Sequence, residues 1–200
     1  MKTLRVHRSI ILLTVLAALL LGGCASTSSV QYGDPGAVET LTNEFGSTDL
    51  QMIAEKMAGS LLNTPMMASG GRPLVTLAPV KNKTSEYIDT KSVTEKIRVT
   101  LLKSGRVRFA VDTDGMQNQV DETVRQTQTG MYRRGKSIRA GRMHGAQYRI
   151  EGTFSSITKQ AGRVKDVYYS FRLELIDNET GIYEWAEEKE IRKTSERPVF

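Results

Sequence analysis

The sequence predicts an α+β fold: a single domain with one mixed or antiparallel sheet of about five strands and helices packed on it. Two observations carry this prediction. Apolar residues recur at helical spacing in the first half of the chain, whereas a two-residue alternation dominates after residue 146. A composition of 39% hydrophobic and 25% charged residues over 200 positions excludes collagen, coiled-coil and wholly disordered classes.

Three helices are predicted, all of them before residue 130. The first begins at Thr48 and ends near Asn63, with apolar residues at positions i, i+3, i+4, i+7 and i+11. The second spans residues 89–103 and has Gly105 as its C-cap. Its inward residues are predicted to be Val93, Ile97, Leu101 and Leu102. The third is a polar helix from Thr113 to about Thr129.

The predicted strands are 73–80, 106–111, 146–157, 164–177 and 182–192, with a loop at 82–85. The strand at 164–177 alternates most strictly. Its inward residues are predicted to be Val167, Tyr169, Phe171, Leu173 and Leu175. Residues 178–181 form a turn that places Gly181 where a positive φ is needed. The last three strands therefore form a C-terminal β-meander.

The N-terminus has the pattern of a bacterial lipoprotein signal peptide. A basic start is followed by an apolar run at 9–20, which is too short to span a bilayer comfortably. Leu21, Gly22 and Gly23 then precede Cys24, the only cysteine, as in a lipobox. We expect residues 1–23 to be removed and Cys24 to be lipidated with palmitate and other acyl chains. A plain signal peptide or a short anchor helix with an incidental cysteine is the alternative.

Residue 25 is Ala rather than the Asp associated with inner-membrane retention, so we expect a lipid anchor in the outer membrane, facing the periplasm. Residues 24–47 are predicted to be the lipidated Cys and a flexible tether, and residues 48–200 the globular domain. The net charge is +6, but the 25 cations and 22 anions after residue 23 give only +3. With few aromatic residues, no nucleic-acid partner is expected.

No catalytic residue, metal site or cofactor is predicted. His144 is the only histidine after residue 23, and no serine elbow accompanies it. Residues 130–137 match G-x-x-x-x-G-K-[ST] letter for letter, yet a polar helix rather than an apolar strand precedes them, so no nucleotide is expected. The shape of this segment stays open. Glu188 and Glu190 share a strand face opposite Glu187, which is typical of a solvated, mixed-charge edge.

The chain resembles the LpoB family of penicillin-binding protein activators over roughly residues 48–193. The resemblance is carried by the strand from Leu74, the helix ending before Gly105, Gly145-Ala-Gln-Tyr148, the strand from Asp166, and Glu179-Thr-Gly-Ile-Tyr-Glu-Trp185. It implies an outer-membrane lipoprotein that binds the docking domain of a bifunctional class A penicillin-binding protein and stimulates peptidoglycan synthesis. The tether departs from the family, in which long Pro-rich tethers are usual. A structural lipoprotein of a secretion or flagellar assembly is the alternative.

A non-enzymatic activator works by surface contact, and binding energy concentrates in a few aromatic or Arg residues. Tyr168 and Arg172 are predicted on the sheet face opposite the apolar residues of their strand. Tyr148 and Arg149 are weaker candidates, and which of them faces outward depends on the strand register. Trp185 is ambiguous between the core and the partner-binding surface.

Overall fold

A computed structural model describes residues 30–133 and 135–198. The chain divides into two units, Met1–Pro35 and Gly36–Phe200. Described residues 30–34 of the first unit have no regular secondary structure. The predicted signal peptide and Cys24 lie outside the described residues. Within the described residues, no helix is long and apolar enough to cross a membrane.

The second unit contains four helices and six strands among its described residues. The helices are α1 (Ser47–Leu62), α2 (Pro65–Ala68), α3 (Thr90–Lys103) and α4 (Thr113–Gln128). The strands are β1 (Leu74–Leu77), β2 (Lys81–Asn82), β3 (Arg108–Phe109), β4 (Tyr148–Ala161), β5 (Val164–Asp177) and β6 (Tyr183–Glu196).

The strands form one mixed sheet in the order β3-β1-β4-β5-β6, with β2 also paired to β4. The strands β1, β2, β3 and β4 pair in parallel, whereas β4, β5 and β6 are antiparallel. The α+β prediction and the C-terminal meander are therefore confirmed. Gly181 has a φ of 73°, as the predicted turn between β5 and β6 requires.

The core lies between α1, α3 and one face of the sheet. The five predicted inward residues of β5 are all buried, and Ile53, Met57 and Leu61 of α1 are fully buried. Gly152 lets the side chains of Val80, just before β2, and Leu173 of β5 pack closely against β4. A Cβ there would lie 2.8 Å from Cγ2 of Val80 and 3.1 Å from Cδ1 of Leu173, which leaves no room for a larger residue.

Residues 39–46, which we call the strap, pack on one end of the sheet before α1 begins. The Asn43 side chain donates to the Lys165 carbonyl at 3.2 Å and to Ser195 Oγ at 2.7 Å. The Phe45 ring lies edge-on to Phe154, with 5.0 Å between centroids. The last residues of the predicted tether are thus attached to the domain.

Several predicted boundaries differ from the structure. Leu102 was expected to face inward but is 45% exposed, because the buried stripe of α3 is Val93, Thr94, Ile97 and Leu101. The predicted strand at 106–111 contracts to β3, whose two residues pair with Leu74 and Val75. Residues 81–82 of the region between β1 and α3 pair with β4, and α2 was not predicted. The polar ends of β4 and β6 extend four residues beyond the predicted limits.

Candidate functional site

The outward residues of β4, β5 and β6 form a surface that we call the open face. Successive strand residues point to opposite sides, so this face carries the partners of the buried set. Its members are Arg149, Glu151, Thr153, Ser155, Ile157 and Lys159 on β4, then Asp166, Tyr168, Ser170, Arg172 and Glu174 on β5, then Ala186, Glu188, Glu190, Arg192 and Thr194 on β6. Both signs of charge are interspersed, so bulk charge does not select a partner here.

The structure places Tyr168 on the open face, as its position in the alternation predicts. Its hydroxyl donates to the Glu190 carboxylate on β6. This hydrogen bond, together with the negative charges of Glu190 and Glu188, raises the pKa of the Tyr168 phenol. The ring is therefore held in one position with a neutral hydroxyl, which reduces the conformational entropy that a contact would cost.

Arg172 lies four residues further along β5 on the same face, opposite Glu188 and beside Thr153. Its side chain is 58% exposed, and its ion pair with Glu174 Oε1 is long at 4.0 Å. Arg192, by contrast, donates to the Asp166 carboxylate through two nitrogens, Nε and Nη2, with Nη2 2.6 Å from Oδ2. That hydrogen bond lowers the pKa of the Asp166 carboxyl. Arg172 is thus the arginine of β5 and β6 whose donors are more available to a partner.

The register separates the two weaker candidates on β4. Arg149 pairs with Ile176 and lies on the open face, where Nε is 2.7 Å from Glu151 Oε1. Tyr148 lies on the helix-covered side and packs against the core. Burial and the negative charges of Asp177 and Glu184 raise the pKa of its phenol. Of this pair, only Arg149 lies on the same sheet face as Tyr168 and Arg172.

Trp185 also lies on the helix-covered side. It packs against the core, and its Nε1 donates to Ser60 Oγ of α1 at 3.2 Å. The indole is therefore partnered within the fold rather than presented beside Tyr168.

Ile157, which no sequence pattern marked as a candidate, is 59% exposed and pairs directly with Tyr168 across β4 and β5. Its position was readable from the sequence. Ile150 and Phe154 are inward, so an odd-numbered residue of the same strand must face outward. Ile157, Tyr168 and Arg172 together give the open face one apolar, one aromatic and one cationic contact.

The residues considered for catalysis are dispersed. His144 and Lys136 are exposed in the segment after α4. Residues 130–137 follow a helix, whereas a phosphate-binding loop follows a strand. Glu187 lies on the helix side, with Oε2 3.4 Å from Lys56 Nζ, whereas Glu188 and Glu190 lie on the open face. Among the described residues, no group of three or more His, Cys, Asp or Glu is arranged to hold a metal ion.

A cavity of about 630 Å³ lies where β1 ends and α3 and α4 begin. Two of its lining residues form an ion pair, with Arg98 Nη2 2.7 Å from Asp112 Oδ2. The Gly115 backbone N–H and this arginine lower the pKa of the Asp112 carboxyl. The carboxylate caps α4, so its polar contacts are used in holding that helix.

Comparison with known proteins gives one family. The sequence model described as peptidoglycan-synthase activator LpoB matches residues 49–191. No curated protein matches the chain by sequence.

Among solved structures, the LpoB C-terminal domain from Escherichia coli is 18% identical with a TM-score of 0.46, covering 72% of this chain and 98% of that one. The LpoB C-terminal domain from Salmonella enterica is 14% identical with a TM-score of 0.45 and the same coverage. Lipoprotein GNA1162 from Neisseria meningitidis is 15% identical with a TM-score of 0.40, covering 62% of this chain and 84% of that one.

Proposed function

The chain belongs to the LpoB family of peptidoglycan-synthase activators, and we propose that it binds and activates a bifunctional class A penicillin-binding protein through the open face. The family match over residues 49–191 carries the activating role and confirms the resemblance read from the sequence. The family is one of activators, which supports a regulatory role for this chain.

The open face supports a docking role because it combines rigid and available groups. Tyr168 is fixed by Glu190, whereas Arg172 keeps most of its surface and its donors exposed. Ile157 adds exposed apolar area beside the Tyr168 ring. Tyr and Arg are the residue types enriched among the few that dominate interface energies.

The partner chemistry follows from the mixed charges. The carboxylates of Glu188 and Glu190 alternate with Arg172 and Arg192 along the same two strands. A complementary partner must match this pattern residue by residue, which favours one specific docking domain over generally acidic or basic surfaces. The docking domain of the synthase is proposed to present an apolar contact for Ile157 and a carboxylate for Arg172.

The test is stimulation of the purified class A synthases of the same cell. Tyr168→Ala and Arg172→Ala are each expected to weaken binding by about 1–3 kcal/mol, with glycan polymerisation falling back toward the unstimulated rate. Tyr87→Ala and Arg163→Ala serve as controls, because both residues are exposed outside the open face. Unchanged stimulation by both open-face variants would move the interface elsewhere. A wild-type chain that stimulates no class A synthase would end the activator proposal.

We further propose that Cys24 carries the lipid anchor and that the chain resides in the outer membrane facing the periplasm. The proposal is supported by Leu21-Gly22-Gly23 before the only cysteine and by Ala at position 25. Palmitate should label the wild-type chain and not Cys24→Ala, which should accumulate as an unprocessed precursor. Equal labelling of both would refute the anchor, and recovery of the wild-type chain from the inner membrane alone would refute the outer-membrane location.

A further inference from the structure

A groove of about 660 Å³ runs between α4 and the returning chain at 138–143. We propose that this groove is a second interaction surface, which binds an acidic, amphipathic peptide segment of a partner protein. The groove belongs to a different part of the molecule from the open face, so the proposal stands independently of what the open face binds.

The returning segment, residues 130–133 and 135–145, is held against α4; we call it the basic arm. Tyr132 accepts a hydrogen bond from Arg125 of α4, and the arginine carbon Cζ lies 5.2 Å from the Tyr132 ring centroid. The Ile138 backbone N–H donates to the Gln126 side chain at 3.2 Å. Gly135 and Gly141 have φ values of 78° and 75°, which let the arm turn back along the helix. The groove therefore has two defined walls.

The groove has an apolar floor. Val120 and Val124 lie one helical turn apart on α4 and are 46% and 42% exposed, and Ile138 and Met143 of the arm face them at 38% and 56% exposure. None of the α4 residues whose side chains are described is buried. Valines recurring on one side of a helix without burial form an apolar stripe that the domain itself does not cover.

Positive charge lies on the arm side of the groove. The described arm carries Arg133, Lys136, Arg139 and Arg142, all exposed, and no acidic residue occurs between positions 130 and 147. Arg139 and Arg142 line the groove itself. The nearest acids of α4, Asp121 and Glu122, do not line the groove; Gln117 donates to Asp121, and Arg125 and Gln126 donate to Glu122. The groove thus offers apolar contact with exposed cations at its rim.

This chemistry selects an occupant that is both apolar and acidic. The groove follows α4 from Gln119 to Gln128, a length of roughly 14 Å at about 1.5 Å per residue, which accommodates two to three turns of a partner helix. Apolar anchors spaced three or four residues apart would fill the floor, with carboxylates facing the arm. A flat bilayer fits less well, because the valines lie at the base of a concavity rather than protruding from it.

The experiment uses the full-length chain in detergent micelles as the target for a displayed library of random dodecapeptides, with the Val124→Asp chain as counter-target. Enriched peptides are expected to be net negative, with apolar residues at three- or four-residue spacing. Their affinity should fall at least about tenfold with Val124→Asp and with Arg139→Glu. Val99→Asp and Lys103→Glu on α3 are the matched controls and should leave binding unchanged, because both residues are exposed outside the groove.

Three results would overturn the proposal. The first is the absence of enrichment over the Val124→Asp counter-target. The second is a set of enriched peptides without net negative charge. The third is displacement of the peptides when phosphatidylglycerol, but not phosphatidylcholine, is added to the micelles, which would identify an anionic lipid as the groove's ligand. None of these results bears on stimulation of the synthase by the open face.

Discussion

The strap lacks regular secondary structure but is attached to the domain, whereas helix α4 is regular but leaves its apolar residues exposed. The strap has no helix or strand, yet its backbone and side chains are bonded to Lys165 of β5, Ser195 of β6 and Glu86 in the loop before α3. Helix α4 is sixteen residues of regular structure with a capped N-terminus, yet its apolar residues Met116, Val120 and Val124 stay 40–46% exposed. Regular hydrogen bonding fixes a segment's shape, whereas burial fixes it to the domain.

The difference assigns different roles to the two segments. The strap ends the tether proposed to lead from Cys24, so its bonds hold the domain to whatever the tether is attached to. Two polar side chains of the sheet donate hydrogen bonds to strap carbonyls. The Tyr169 hydroxyl lies 2.8 Å from the Asn43 carbonyl oxygen, and Lys193 Nζ lies 2.7 Å from the Glu44 carbonyl oxygen. Burial and the nearby Glu86 raise the pKa of the Tyr169 phenol far above its usual value. The uncovered side of α4 instead remains available for contact.

The largest effect is expected at Lys193, whose Nζ lies 2.5 Å from Asp49 Oδ2 with only 12% and 4% of the two side chains exposed. Lys193→Ala leaves a buried carboxylate without its cation and should lower the free energy of unfolding by about 3 kcal/mol. Urea unfolding of the chain from residue 25 onward measures it. Arg163→Ala is the control, because its pair with Glu196 is 49% and 61% exposed and should contribute less than about 1 kcal/mol. Equal losses would mean that the strap end is solvated.

Phe45→Ala should be the next largest change. The ring is partly buried against Phe154 and Tyr169, with centroid distances of 5.0 and 6.3 Å. Its removal leaves a cavity and two lost ring contacts, so we expect a loss of about 2–3 kcal/mol in the same urea measurement. Tyr87→Ala removes an aromatic ring that is 90% exposed and should cost less than about 0.5 kcal/mol. A loss at Phe45 no larger than this would show that the strap does not contribute to the core.

The strap was not predictable from the sequence, whereas the β5–β6 hairpin was. Five alternating apolar residues and a Gly turn specify β5 with its bounds and its buried face. The strap carries one aromatic residue and one leucine among mostly polar residues, a composition typical of a linker. Its attachment depends on Glu86 and Lys165, which lie 41 and 122 residues away from their strap partners in sequence, and no local pattern reports such pairs.

Only part of the candidate site could be predicted, because local sequence patterns do not report long-range contacts. Strand parity placed Tyr168 and Arg172 on one face, and it also specified Ile157 once the inward residues of β4 were known. The same parity places Arg149 on the open face and Tyr148 on the core side once Ile150 and Phe154 are known to be inward, and the long-range pairing of β4 with β1 and β5 fixes which side is inward. The groove beside α4 was beyond sequence reasoning, because the course of the arm depends on the Tyr132 and Ile138 contacts with the helix.

The N-cap of α4 should have a moderate and pH-dependent effect. Asp112 Oδ1 accepts from the Gly115 backbone N–H at 2.8 Å, and this bond and Arg98 hold the pKa of the Asp112 carboxyl below its usual value. A lowered folded pKa means that the stabilisation is complete above the unfolded pKa of about 3.9 and disappears as the pH falls through the folded pKa.

Asp112→Ala should therefore cost about 1 kcal/mol at pH 7, with faster hydrogen exchange at the first turns of α4, and the difference from wild type should vanish in acid. Asp89→Ala, at the N-cap of α3, is the matched control. Its added exchange should be smaller, because the buried stripe of α3 holds that helix to the core. A difference at Asp112 that persists in acid would show that the carboxylate charge is not what matters.

The smallest change is expected on the uncovered side of α4. A variant there tests directly whether the apolar residues of α4 are less packed than the strap. Val124→Thr replaces a methyl group by a hydroxyl at a position that is 42% exposed, and the two residues have similar helix propensities, so the free energy of unfolding should change by less than about 0.5 kcal/mol. Val93→Thr makes the same chemical change at a fully buried position of α3, where an unpaired hydroxyl should cost about 1–3 kcal/mol. Urea unfolding of the two variants side by side separates the cases. Equal losses would mean that α4 is packed as firmly as α3, and its valines would then belong to the core rather than to an interaction surface.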